Sequence, residues 1–262
     1  MSIRRNLTTF AAVVGLLGAV SLLPPDTSLQ QVRNAGVLRV CLPDAYPPLV
    51  TAEPASPGID VELLQSVAAD LGLTLQKVIN PAMGRDFNPR AWRITRAQCE
   101  ILAGGVAATP TTSSFLDTTP PHAATGWAWL ARSGPPRFKD ARIGVQVGIS
   151  GLDRVALAAW LRAQHAQVTV VAGKDQLLAG LRDGKFDAAV TERLQARGLA
   201  AQAQLTTGWM PDPLPRAPLV FGLWKGDLTL KRALVASLDR LRSDGRLARI
   251  VARYAPGSAE DP

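Results

Sequence analysis

Cysteine, histidine and aromatic residues are all scarce in this chain. Of 262 residues two are cysteine and two histidine, and Phe, Trp and Tyr together make up 5%. Cys41, Cys99, His122 and His165 are too few and too scattered for the ligand spacing of a zinc centre. No cluster of five or more Lys/Arg residues occurs, nor any nucleic-acid-binding motif, so a nucleic-acid partner is not expected. Beyond the amino terminus no apolar run approaches the ~20 residues of a membrane span. No nucleophile is paired with a base at a spacing that would mark covalent catalysis, so neither an enzyme nor a cofactor is expected from the residues themselves.

What is present is an ordinary globular composition, 47% hydrophobic and 19% charged, which excludes a disordered, collagen-like or disulfide-scaffold chain. The length suits one large domain or two of roughly 100 to 150 residues each. The net charge of +8 is unevenly placed: residues 1–130 hold nine charges of each sign, so the whole excess lies in 131–262. A basic half suits an anionic ligand, an anionic membrane or nucleic acid. Here the arginines are spaced through helical segments, which reads first as a solvated helix face.

Arg4 and Arg5 precede an uncharged apolar run over 10–23, followed by Pro24, Pro25 and Asp26. Residues 1–27 are therefore expected to be an export signal or an uncleaved amino-terminal anchor, sending the rest out of the cytoplasm. In an oxidising compartment Cys41 and Cys99 are expected to pair rather than stay as two buried thiols, though spacing alone leaves both open.

Strands are expected over 37–41, 73–79 and 100–103. A helix opens with Asp60 as N-cap and stops at Gly72, and a further helix is expected over 92–97. The second half repeats this grammar. Strands over 142–146, 168–171 and 188–191 alternate with helices that begin near Gly151, Lys174 and Glu192. A proline-rich stretch, a strand over 219–223 and helices over 229–244 and 246–253 complete the chain. This β-α-β spacing predicts an α/β fold of two units, each a mostly parallel sheet flanked by helices.

In such sheets ligands gather outside the carboxyl ends of the strands. The residues there are Asp44 and Tyr46, then Gly104, Gly105 and Thr109, then Ser150 and Gly151 before a helix, and Glu192. Free N–H groups near Ser150 suit an anion, and Glu192 suits an ammonium or a hydroxyl. Each has a plain structural alternative as a turn, cap or packing residue. Trp127 and Trp129 read as core, and His122 and His165 as surface or cap residues.

In order along the chain, segments 36–40, 46–48, 58–62 with 69–72, 99–105 with Thr109, 143–146 with Gly148 and Gly151, 186–188 and 224–227 resemble the bacterial periplasmic solute-binding proteins of family 3. This is the polar amino-acid class that serves ABC importers. The resemblance implies a monomeric, two-lobed type II fold without cofactor or metal. Lobe 1 would be 28–124 plus 219–255 and lobe 2 would be 128–210, with hinge segments 125–127 and 211–218 and a tail 256–262. It implies that a small polar or anionic ligand is captured between the lobes. Phe87 would stack on it, Tyr46 form a wall, Gly105 offer backbone contact, Ser150 and Gly151 supply N–H groups, and Glu192 replace the usual Asp at an α-ammonium.

The family's Thr-x-x-Arg motif reads Thr109-Pro110-Thr111-Thr112 here, so Thr112 stands where an Arg would clamp an α-carboxylate, and Ala107 matches a common Ser. Losing that Arg removes a charge-assisted bond of roughly 1.5 to 3 kcal/mol, with Arg154 as the nearby cation that could substitute. Relatives tied to quinoprotein alcohol dehydrogenases diverge comparably. The partner would then be importer membrane subunits or a periplasmic dehydrogenase, the latter with a ligand-free accessory or sensor role. A cyclohexadienyl-dehydratase-like activity would need Glu192 or Asp44 as general acid.

Overall fold

Alternation of β-branched and aliphatic residues builds the first sheet around Val37–Leu42 (β1), whose Leu38, Val40 and Leu42 are all fully buried. The computed structural model describes residues 25–83, 89–146 and 152–255. Strand β1 pairs in parallel with Thr74–Ile79 (β2) on one side and Ile101–Leu102 (β3) on the other. Gly222–Trp224 (β12) continues the sheet antiparallel to β3 and to Leu116–Thr118 (β4), giving the order β2-β1-β3-β12-β4. Helix α1 (Ser28–Ala35), α2 (Ile59–Asp70), the short α3 (Pro110–Phe115), α7 (Leu228–Ser243) and α8 (Arg246–Tyr254) belong to this lobe. One apolar core joins Leu63, Leu64 and Val67 of α2 with Leu234 and Leu238 of α7 and Val251 of α8.

The second lobe has the order β10-β6-β9-β7-β8. Arg142–Val145 (β7) runs parallel to Gln167–Val170 (β8) and Ala188–Glu192 (β9), while Trp127–Ala131 (β6) and Thr206–Trp209 (β10) run antiparallel at the other edge. Its helices are α4 (Arg154–Ala163), α5 (Lys174–Arg182) and α6 (Arg193–Ala203). Trp127 and Trp129 pack into its core, with the Trp127 indole N–H donating to the Asp153 carbonyl at 3.1 Å. Between the lobes, Ala123–Thr125 (β5) and Ala217–Leu219 (β11) form a two-stranded antiparallel ribbon.

Four local expectations change. Residues 92–97 form no α-helix: a 3-10 turn over Pro89–Trp92 ends at Arg93, whose φ of 53° leaves the helical region, and the Thr95 N–H then bonds the Gln98 side chain instead of a helical carbonyl. The run 219–223 is two strands, because Val220 and Phe221 carry the chain from the ribbon into the first sheet. The helix expected to start at Gly151 starts at Arg154, where the Asp153 carboxylate caps it by accepting the Ala156 N–H at 2.8 Å. The arginines of α6 are not a solvated face, since Arg193 and Arg197 are buried.

Cys41 and Cys99 form a disulfide, with Cα atoms 5.7 Å apart. It ties β1 to the residues entering β3 beneath Trp224, whose indole N–H donates to the Cys99 carbonyl at 2.7 Å. Among the described residues no helix is long and apolar enough to cross a membrane.

Candidate functional site

The carboxyl ends of β1 and β3 meet at a tight turn. Beyond β1 the Tyr46 N–H bonds the Val50 carbonyl and the Leu49 and Val50 N–H groups return to the Tyr46 carbonyl, all within 2.8 to 2.9 Å. This places the Tyr46 ring directly over Gly105, where φ is +97° and an added Cβ would overlap the ring. Only glycine combines that backbone angle with that clearance.

Asp60 holds the turn from below. It is not the N-cap of α2, which begins at Ile59 after Gly58. Instead its fully buried carboxylate accepts the N–H groups of Gly104 at 2.7 Å and Gly105 at 3.3 Å through Oδ2. Its Oδ1 lies 2.8 Å from Nε2 of His122. His122 is thus no surface residue: its ring stacks on Phe221 with centroids 4.3 Å apart, and its Nδ1 is buried without a hydrogen-bond partner among the described residues. The N–H groups of Gly104 and Gly105 are therefore turned inward to Asp60.

The second lobe presents Glu192, the last residue of β9 and the N-cap of α6. Its carboxylate accepts the Leu194 N–H at 3.0 Å, the Gln195 N–H at 2.9 Å and the Thr125 hydroxyl of the ribbon. Burial raises its pKa, and those three donors and the neighbouring Arg193 act against that rise. Three donors leave room for a further one on a group with about four lone-pair sites. One strand over, Gln146 follows β7, and its N–H bonds the Val190 carbonyl at 3.0 Å. The Gln146 Oε1 is buried and has no hydrogen-bond partner among the described residues. Burial, then the charges of Glu192 and Asp60, push the Tyr46 phenol well above its ordinary pKa, so groups of both lobes act on this one side chain.

Thr109 and Thr112 fold onto each other. The Thr109 hydroxyl caps α3 by accepting the Thr112 N–H at 3.1 Å, and the two hydroxyls lie 3.0 Å apart with Thr112 buried. Arg154 is the first residue of α4, and exposed. Asp44 is exposed on the turn beside Tyr46. Phe87, Ser150 and Gly151 lie outside the described residues. Asp60, His122 and Gln146 were missed by sequence reasoning; only the position of Gln146 at a strand's carboxyl end was a usable signal, because the Asp60–His122 contact joins residues 62 positions apart. Among the described residues no cluster of His, Cys, Asp or Glu could hold a metal ion.

The model for bacterial extracellular solute-binding proteins, family 3, matches residues 38–257. Among curated proteins none matches this sequence. Among solved structures, an ancestral cationic amino acid solute-binding protein is similar over 87% of this chain and 99% of its own, at 20% identity and a TM-score of 0.71. An ancestral amino acid-binding protein described as a precursor of cyclohexadienyl dehydratase covers the same shares at 19% identity and a TM-score of 0.63. The substrate-binding protein of a polar amino acid ABC uptake transporter from Streptococcus thermophilus matches 87% of this chain and 89% of its own, at 16% identity and a TM-score of 0.71. At these identities the likeness establishes the fold alone. The family match spans most of the chain, and the protein belongs to the extracellular solute-binding proteins of family 3.

Proposed function

We propose that this protein is an exported binding protein that captures a small polar solute between its lobes and passes it to a membrane transporter. The ligand class is a solute that donates hydrogen bonds through an ammonium or amide group. The observation that carries this reading is the pair of buried acceptors, Glu192 and Gln146, at the carboxyl ends of adjacent strands. The Tyr46 phenol of the first lobe is buried, and the charge of Glu192 helps to raise its pKa. A desolvated carboxylate with a lone pair to spare rewards a cation that enters with its donors aligned. The Thr109–Thr112 pair supplies no guanidinium, so a standard α-carboxylate is not the anchor. Lobe 1 (28–124 plus 219–255) and lobe 2 (128–210) would close about the ribbon, as hinged binding proteins do.

The test is a thermal-shift screen of primary amines, polyamines, amino acids and organic acids against the purified protein and the E192Q variant. An amine at 100-fold its Kd adds about 2.7 kcal/mol to stability, and E192Q removes that gain. No response to any amine, amino acid or amide sinks the reading.

One observation favours a ligand-free accessory role. Thr112 is turned away from solvent onto Thr109, so a family anchor point is closed by the chain itself. A protein that binds no solute yet copurifies with a periplasmic dehydrogenase would support that role. The raised pKa of Glu192 also suits a general acid, and phenylpyruvate formed from prephenate by the purified protein would support a dehydratase.

A further inference from the structure

The second sheet ends in an edge that nothing among the described residues covers. Strand β8 is the outermost of its sheet, and all its side chains are exposed. Val168 and Val170, both hydrocarbon, are 45% and 63% exposed. The register accounts for this. Val168 lies beside Ile143 and Val170 beside Val145, so all these side chains point to one face of the sheet. Leu157 and Leu161 of α4 pack on Ile143 and Val145 and leave the two valines of β8 open.

The backbone of this edge is open as well. The Gln167 N–H donates to the Ala141 carbonyl at 2.8 Å and the Val171 N–H to the Val145 carbonyl at 2.9 Å. Alternate residues of a strand turn their polar groups the same way, so the N–H and C=O groups of Val168 and Val170 face outward. The next outward N–H groups on either side are already engaged. That of Ala166 bonds the Leu161 carbonyl at 3.1 Å, and that of Ala172 bonds Oε1 of Gln176 at 3.0 Å. The open stretch is therefore centred on Thr169.

Proteins ordinarily blunt such an edge with charge, proline or a covering element. The edge strands of the first sheet, β2 and β4, carry Lys77 and Asp117, and β10 at the other end of the second sheet has α6 against it. Residues 166–173 contain neither a charge nor a proline.

We propose that this edge pairs with the same edge of a second copy of the chain, antiparallel, about a two-fold axis through Thr169. In that register Val168 of each copy faces Val170 of the other, and every outward N–H and C=O of these residues meets its complement. The valines of both copies close over one another on the face that α4 leaves open, while the threonine hydroxyls meet across the axis on the other face. A slip of one residue would set outward groups against inward ones. This self-complementarity, with no like charges to repel at the axis, is what selects a second copy as the occupant. The strand is short, so the dimer is a weak one, half-formed between about 10 μM and 1 mM.

The experiment is sedimentation velocity of the purified protein at concentrations up to about 1 mM, where the wild type should pass from monomer to dimer. T169K sets like charges directly opposite at the axis and should raise the dimer Kd at least fivefold, as should T169E. Thr169 is exposed, so neither change bears on the core. An equimolar mixture of the two variants should dimerise at least as tightly as the wild type, because Lys meets Glu only if Thr169 lies on the axis. T74K, the same change on the exposed edge strand β2 of the other lobe, should leave the Kd unchanged. A wild type that stays monomeric throughout overturns the proposal and leaves the edge to a strand of another protein. A dimer that T169K leaves intact, or a mixture no tighter than its separate components, overturns it too.

Discussion

Oδ1 of Asp60 lies 2.8 Å from Nε2 of His122, and both side chains are almost wholly shut off from solvent. The contact joins the first turn of α2 to the segment entering the ribbon, while the other oxygen of Asp60 holds the Gly104–Gly105 turn. A single carboxylate thereby positions both the floor beneath Tyr46 and the start of the ribbon.

Removing it should be costly. D60A leaves two glycine N–H groups and the imidazole without their acceptor, and is expected to destabilise by about 3 to 5 kcal/mol. Urea unfolding measures this; a loss below about 1 kcal/mol would show that the turn is held by other contacts.

The clearance over Gly105 gives a second expectation. G105A forces a Cβ into the Tyr46 ring at a φ of +97°, and such overpacking is expected to cost about 1 to 3 kcal/mol. The Y46A background, which removes the ring, should recover part of that loss. Equal effects of G105A with and without the ring would contradict the packing described.

Cys41 and Cys99 stand 58 positions apart, and closing a loop of that length restricts the unfolded chain by about 4 kcal/mol in the chain-entropy picture. The C41A/C99A variant should therefore unfold at markedly lower urea concentration than the oxidised protein. Reducing agent should lower the wild type toward the variant and leave the variant itself unmoved.

Glu192 gives the pH dependence. Burial raises its folded pKa above the ordinary value of 4.5, so the native state holds the proton to higher pH than the unfolded chain. Its contribution to stability is present below that value, is lost as pH rises through the folded pKa, and levels off above it. The stability difference between wild type and E192Q should shift in that sense across this window. A pH-independent difference would place the Glu192 pKa at its unfolded value. E192A, which removes the N-cap of α6, is expected to cost about 0.5 to 2 kcal/mol.

Much of this architecture was legible before the coordinates. Short aliphatic runs ending in Gly or Pro marked β1, β7 and β9, apolar spacing marked α2, and Gly245 marked the break between α7 and α8. Local signals failed where tertiary contacts decide. Asp60 sits where a helix cap would, yet its acceptors are spent on glycines 44 and 45 positions away. Gly148 and Gly151 drew the start of α4 upstream, although Asp153 supplies the cap. The periodicity of Arg193 and Arg197 is the same for a wet helix face as for a buried one, and only their burial in the fold, with Arg193 over Trp209, distinguishes the two. The sequence also put Thr112 where the family resemblance implies an Arg. That the replacing hydroxyl turns onto Thr109 needed the structure.

Native mass spectrometry of the gently purified wild type beside E192A and T169K tests the solute-binding claim most directly. The proposed cleft implies one small-molecule adduct per chain, restored by adding the amine that gives the largest thermal shift, lost in E192A and kept in T169K. A bare mass for the wild type that no added solute changes, or an adduct that E192A retains in full, would contradict it.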